Sequence, residues 1–129
     1  MPLSAFIPQI ENKFLKLRNQ IAAEALQLLQ FGSPVDQGTY RANHRISIGD
    51  RDMTFELVAG SSAPKGSIDQ QVYDREVRKL LTENAPFTIV YIQQNLPYAQ
   101  RIEDGWSQQA GEGVYAAAAS ALRSKYGGG

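Results

Sequence analysis

The sequence has no cysteine and a single histidine, His44. Disulfide frameworks, thiol nucleophiles, Cys-ligated zinc and every zinc site built on two histidines are therefore excluded. There is no surplus charge either: 13 Lys+Arg against 13 Asp+Glu give a formal net charge of +0, whereas a general polyanion binder carries an excess of positive charge. No apolar run is long enough to span a bilayer. The opening Met-Pro-Leu-Ser-Ala-Phe-Ile-Pro lacks the basic and apolar regions of a secretory signal, so a soluble protein that stays in the cytosol is expected. What remains is a chain of 129 residues, 43% hydrophobic and 20% charged, the size and balance of one globular domain. Neutrality also leaves no net repulsion between copies, which favours self-association.

Signatures of chemistry are equally scarce. Serine hydrolysis needs a base, and only His44 is on offer, without a Gly-x-Ser-x-Gly elbow. Between Asn43 and Arg45, His44 reads as a surface or boundary residue, and a small hydrolase around His44 and Asp36 is the weakest option. Gly105-Trp106-Ser107 and Gly111-Glu112-Gly113 lack the lysine and spacing that cradle phosphates. The carboxylate pairs Asp50/Asp52 and Glu103/Asp104 are too close in sequence to face each other across a cleft, and no calcium-loop spacing occurs. No enzymatic activity, cofactor or metal is expected. Tyr40 with Arg41, Arg45 and Arg51 suggests a small nucleic-acid-binding module, a stacking ring on a basic edge. Against it stands a solvated face whose arginines pair with Asp36, Asp50 or Asp52.

Periodicity predicts an α+β domain over residues 1–126, followed by a flexible glycine tail at 127–129. A long amphipathic helix over 8–31 carries the stripe Ile10, Phe14, Leu17, Ile21, Ala25 and Leu28, widened by Leu15, Ala22, Leu26 and Leu29. Pro8 suits its first turn, and Gly32 with Pro34 stops it. A turn and a short helix over 37–44, capped by Asp36, come next. Alternation over 45–48 and 54–58, around Gly49-Asp50-Arg51-Asp52, predicts a hairpin, and 59–66 a flexible connection. A second helix over 69–83, capped by Ser67 or Asp69, turns Val72, Tyr73, Val77, Leu80 and Leu81 inward and Glu76 and Lys79 outward; Pro86 ends it. Residues 87–92 form the central strand of a small, mostly antiparallel sheet of 3–4 strands, on which that helix packs. A short helix over 98–106 and an alanine-rich helix over 113–126 complete the chain.

Two stretches are not explained by generic folding. One is Ser33-Pro34-Val35-Asp36-Gln37-Gly38-Thr39-Tyr40-Arg41-Ala42-Asn43. The other runs Val90-Tyr91-Ile92-Gln93-Gln94-Asn95-Leu96-Pro97-Tyr98-Ala99-Gln100-Arg101-Ile102-Glu103-Asp104-Gly105-Trp106-Ser107, then Gln109-Ala110-Gly111-Glu112-Gly113-Val114. Their order and spacing resemble the small tail-component family of tailed bacteriophages, the neck or tail-completion proteins. Pro34, Val35, Asp36, Gly38, Arg41 and Asn43 match its first motif; Asn95, Pro97, Tyr98, Ala99, Glu103 and Gly105 its second; Ala110, Gly113 and Val114 its third. Gln37, Tyr40 and Gly111-Glu112 stand where the family has Thr, Leu and Pro.

The resemblance implies a virion structural protein, built in the host cytoplasm. Roughly six copies would close a ring around the channel through which DNA passes without sequence-specific binding. The ring would join a head-side connector or head-closure protein to a tail terminator or tail tube protein. A tail-terminator ring capping the tube is the near alternative. Asp36 and Gly38 would shape the corner after the first helix. Tyr98, Arg101, Glu103 and Trp106 would anchor either the domain's own core or a subunit interface.

Overall fold

The computed structural model describes residues 3–35, 38–57, 60–61, 63–82, 88–105 and 113–127, with side chains from residue 13 onward. Asp36 and its capping role, Trp106, the third motif before Gly113, the far end of the 54–58 strand, the start of the 87–92 strand and Pro86 all lie outside the described residues.

Helix α1 (Leu3–Gly32) starts earlier than the stripe suggests, so Pro8 sits in its second turn rather than its first. Its buried apolar positions are Ala22, Ala25, Leu26 and Leu29, which are one helical face at i, i+3, i+4 and i+7. The expected stripe is thus rotated: Phe14 and Leu17 are 49% and 44% exposed, and Leu28 is partly exposed as well. The apolar surface of α1 is wider than the other described residues cover. Instead of a short helix over 37–44 there is one 3-10 turn, Arg41–Asn43, entered through Gly38 at φ +85. A side chain at Gly38 would collide with the Ser61 carbonyl, and only glycine adopts that backbone without strain.

Strands β1 (His44–Ile48) and β2 (Val90–Gln94) pair antiparallel, with Ile46 opposite Ile92. Alternation sorts their side chains. Ile46, Ile48, Val90 and Ile92 meet Ala22 and Leu26 of α1 and Tyr73, Val77 and Leu80 of the next helical segment. Fully burying Leu26 or Ile46 is each worth about 1.5–3 kcal/mol. Leu29, Tyr40, Leu96, Val114 and Ala118 form a second cluster, and Ile92 touches both.

Among the described residues the sheet has two strands, not the 3–4 expected, and the reason is visible at β1. The second helix, α2 (Gln70–Arg78), is capped as predicted by Asp69, whose carboxylate accepts from Val72 N, and it continues as a 3-10 turn over Lys79–Thr82. It turns Glu76 inward, contrary to the expected solvent face. Glu76 Oε1 accepts from Ile46 N at 2.9 Å, and Lys79 Nζ donates to Ile46 O at 3.3 Å. Both backbone groups of Ile46 are thereby occupied by side chains, and no third strand can pair there.

The stretch expected to be that strand, 54–58, is described as far as Leu57, and the segment 52–57 lies over the other face of the sheet. Asp52 N donates to Ser47 Oγ, and Glu56 gives its N–H to Asn43 Oδ1 and takes Asn43 Nδ2 on its carbonyl. The pairs 47–52 and 43–56 keep the register of a hairpin, but the bonds come from side chains. Arg45 adds an ion pair to Glu56 at 3.6 Å and Arg51 lies over the Tyr91 ring. Helix α3 (Ala99–Glu103) and helix α4 (Tyr115–Tyr126) close the fold. The end of α4 is fastened to α1, where Glu24 accepts from Lys125 Nζ and Tyr126 Oη, both at 2.6 Å.

Removing the Glu76 carboxylate leaves the Ile46 N–H without its acceptor and takes from Arg45, buried at 5% exposure, one of its two carboxylate partners among the described residues. Glu76→Ala is expected to cost about 3–5 kcal/mol by urea unfolding. Leu81→Ala, at a position 74% exposed, is expected to stay within about 0.5 kcal/mol.

Candidate functional site

His44 is fully buried, not the boundary residue expected. It opens β1, and the strand direction points its ring between α1 and α4. Its Nε2 lies 2.7 Å from Ser33 Oγ, and its Nδ1 lies 2.8 Å from the Tyr115 hydroxyl. Ser33 has one proton and donates it to Leu29 O at 2.5 Å. It must therefore accept from His44 Nε2–H, which leaves Nδ1 to accept from Tyr115 O–H. The chain Tyr115 to His44 to Ser33 to Leu29 is neutral, unidirectional and complete. Burial pushes His44 down to about 3 and raises both Tyr115 and Tyr40, whose ring meets His44 edge-on. The Ser33–His44 contact has the outline of a nucleophile and its base. Yet Ser33 is fully buried and its proton already bonds a backbone carbonyl, so the pair acts as a tether.

The motif residues form a second group, and their polar atoms go mostly to backbone. Arg41 is fully buried and donates to the carbonyls of Ser61, Pro64 and Ser67 at 2.7–3.2 Å, folding the 61–67 loop around its guanidinium. Its Nε and Gln30 Nε2 are buried without a partner among the described residues. Asn43 holds Thr39 O and Glu56. Asn95 Nδ2 bridges Asp52 O and Thr54 O, and its Oδ1 accepts from Gln93.

Glu103, at the end of α3, caps α4 from outside that helix. Its Oε1 accepts from Val114 N and Tyr115 N at 3.0 and 2.8 Å, and its Oε2 from Ala116 N at 2.9 Å. A carboxylate there answers both the unpaired N–H groups and the positive end of the helix. Gly113, at φ +85, makes the approach possible: a Cβ would sit 2.6 Å from Glu103 Oε2 and 2.7 Å from its carbonyl. Gly105, also at positive φ, ends α3. Pro34 is buried, whereas Pro97, Tyr98 and Arg101 reach the surface. A cleft of about 420 Å³ opens beside Glu103, between Tyr40, Gln94, Leu96 and Tyr115.

The structure therefore gathers Arg41, Asn43, Asn95 and Glu103 as loop and helix clamps, with Gly38 and Gly113 making room. It leaves Pro97, Tyr98 and Arg101 on the outside. Tyr40, Arg41 and Arg45 are buried and cannot present the stacking ring and basic edge that a nucleic-acid module would need; Arg51 alone of that set is exposed. The grouping of Ser33, His44 and Tyr115 escaped the sequence reading because they come from three separate places in the chain, with nothing local to link them. Among the described residues no cluster of His, Asp or Glu is arranged to hold a metal ion, and no helix is long and apolar enough to cross a membrane.

Two measurements follow from this geometry. An unfolded histidine titrates near ~6.5, while the folded His44 stays neutral down to about 3. Its contribution to stability is therefore complete above the unfolded value and is lost as pH falls from there toward the folded one. The ring signals of this single histidine are expected to stay still in proton NMR from about pH 8 to about pH 5, while Tm declines below roughly pH 6.5. Glu103→Ala is expected to cost about 1–2 kcal/mol in urea unfolding and to fray the first turn of α4 in amide exchange.

Scanned against models of known families, curated proteins and solved structures, the chain finds no match.

Proposed function

We propose that this chain is a structural protein of a phage neck, a head–tail connector or tail-completion subunit. Copies of it form a ring around the DNA channel, one face toward the head-side connector and the other toward the tail terminator or tube protein. It is assembled in the host cytoplasm and carried in the virion. The reading rests on the order and spacing of the three motif stretches, and the observation that supports it is their convergence. Arg41 and Asn43 from the first stretch clamp loops, Asn95 from the second clamps the 52–54 backbone, and Glu103 from the second caps the helix that Val114 of the third opens. Motif side chains bound to the protein's own backbone suit a part whose work is to hold a shape. The formal net charge of +0 fits a lumen that lets DNA leave, since strong positive charge would retain it.

Light scattering on the purified chain is expected to show mass rising with concentration toward a closed ring of roughly six copies. An antibody raised against it is expected to label the head–tail junction of tailed particles released by cells that carry the gene. Particles that carry no label at either end of the tail would overturn the proposal.

A further inference from the structure

Among the described residues two surfaces lack a cover, and they complement each other. The first is the arm 52–57 lying over the sheet. Its even residues face the domain: Asp52 and Thr54 give their carbonyls to Asn95, and Glu56 gives both backbone groups to Asn43. That i, i+2, i+4 pattern is the periodicity of an extended chain. The intervening residues look outward, with Met53 67%, Phe55 41% and Leu57 66% exposed. No described residue hydrogen-bonds the backbone of Met53 or Phe55. The arm is an extended segment with one edge held by side chains and the other open.

The second surface is a groove of about 380 Å³ between α1 and β2, with Ile21, Ala25, Ile89, Val90 and Ile92 on its walls. Ile89 is 62% exposed beside it. Among the described residues β2 pairs only with β1, so its second edge offers backbone donors and acceptors along the groove. Outward-facing Leu17 and Leu28 on α1 extend the apolar wall.

We infer that the arm of one copy adds to the open β2 edge of the next, seating Met53, Phe55 and Leu57 along its α1–β2 groove. This deepens the ring reading above and rests on it. The occupant is a second copy for two reasons. The arm is fixed to the polar face of its own sheet while the groove lies on the opposite, apolar face, so a chain cannot fill its own groove. The charges are also compatible, since Asp50, Asp52 and Glu56 outnumber Arg51 over residues 50–57, with Asp52 and Glu56 held by Lys79 and Arg45 of their own chain, while Lys13 and Lys16 are exposed on α1. Strand addition combines backbone bonding with pockets for alternate side chains, and joining unlike surfaces gives the head-to-tail contact from which rings close. One short arm buries well under the ~1,600 Å² of a standard interface, so a single contact is weak and closure strengthens it.

The test uses the full chain and two surface variants, Phe55→Lys in the arm and Ile89→Lys in the groove, each checked for unchanged thermal unfolding. Sedimentation is expected to show the unaltered chain associating as its concentration rises to about 1 mM. Each variant alone is expected to gain no pairing by this contact and to remain a monomer. An equimolar mixture is expected to form a dimer and nothing larger, because each variant keeps the half that the other has lost. A chain that stays monomeric to about 1 mM, or a mixture that does not pair, overturns the inference. Association that survives both substitutions also overturns it while leaving the ring itself standing. Failure of the neck reading would show separately, as unlabelled particles.

Discussion

One imidazole holds three elements together. His44 on β1 accepts a hydrogen bond from Tyr115 of α4 and donates one to Ser33 just after α1, with His44 and Ser33 fully buried and Tyr115 partly so. A second proton on the ring would turn Nδ1 from acceptor to donor and set it against the Tyr115 hydroxyl, whose own proton would have no other partner. It would also bury an uncompensated charge. The positions of α4 against α1, and of the strand between them, thus depend on the ring remaining neutral. The Glu24, Lys125 and Tyr126 cluster repeats the α1–α4 connection one helix length away, at the surface.

Elsewhere the fold meets the demand that buried backbone groups be paired with side chains where a larger sheet would use strands. Glu76 and Lys79 occupy Ile46, Asn43 and Asn95 hold the arm, Arg41 gathers three loop carbonyls and Glu103 closes the start of α4. Side-chain clamps of this kind need particular residues at particular places, because an amide or guanidinium cannot be exchanged for an apolar group without leaving its partners unsatisfied. This explains why much of the motif-bearing sequence falls in loops and at element ends rather than in the core.

The same economy of strands leaves edges. An open strand is a template for another chain, and here the open β2 edge runs beside an apolar groove while the arm shows its alternate apolar residues to solvent. In a monomer these features would be a hazard. In the ring proposed above they are what neighbouring copies would use, and the absence of net charge would let the copies approach.

Local signals were enough to read α1, the Asp69 cap, β1, the core of β2 and the alanine-rich α4, because periodicity and capping act within a few residues. The α+β class followed from the order of those elements. The sequence also showed which stretches were unusual, and Glu103, Asn95, Arg41 and Gly38 do hold structure together. Their partners were not legible: that Glu103 caps α4 depends on where α3 ends, and that Arg41 is buried depends on a loop 20 to 26 residues away. The rotated face of α1, the inward Glu76 and the sealed His44 share one cause. Each is decided by what packs against it, and the missing third strand is decided by a carboxylate and an ammonium arriving from another helix. Sequence determines which segments are helix or strand through forces local to the chain; the choice of buried face, of partner and of open edge belongs to the tertiary structure, because only there do distant groups compete for the same hydrogen bonds.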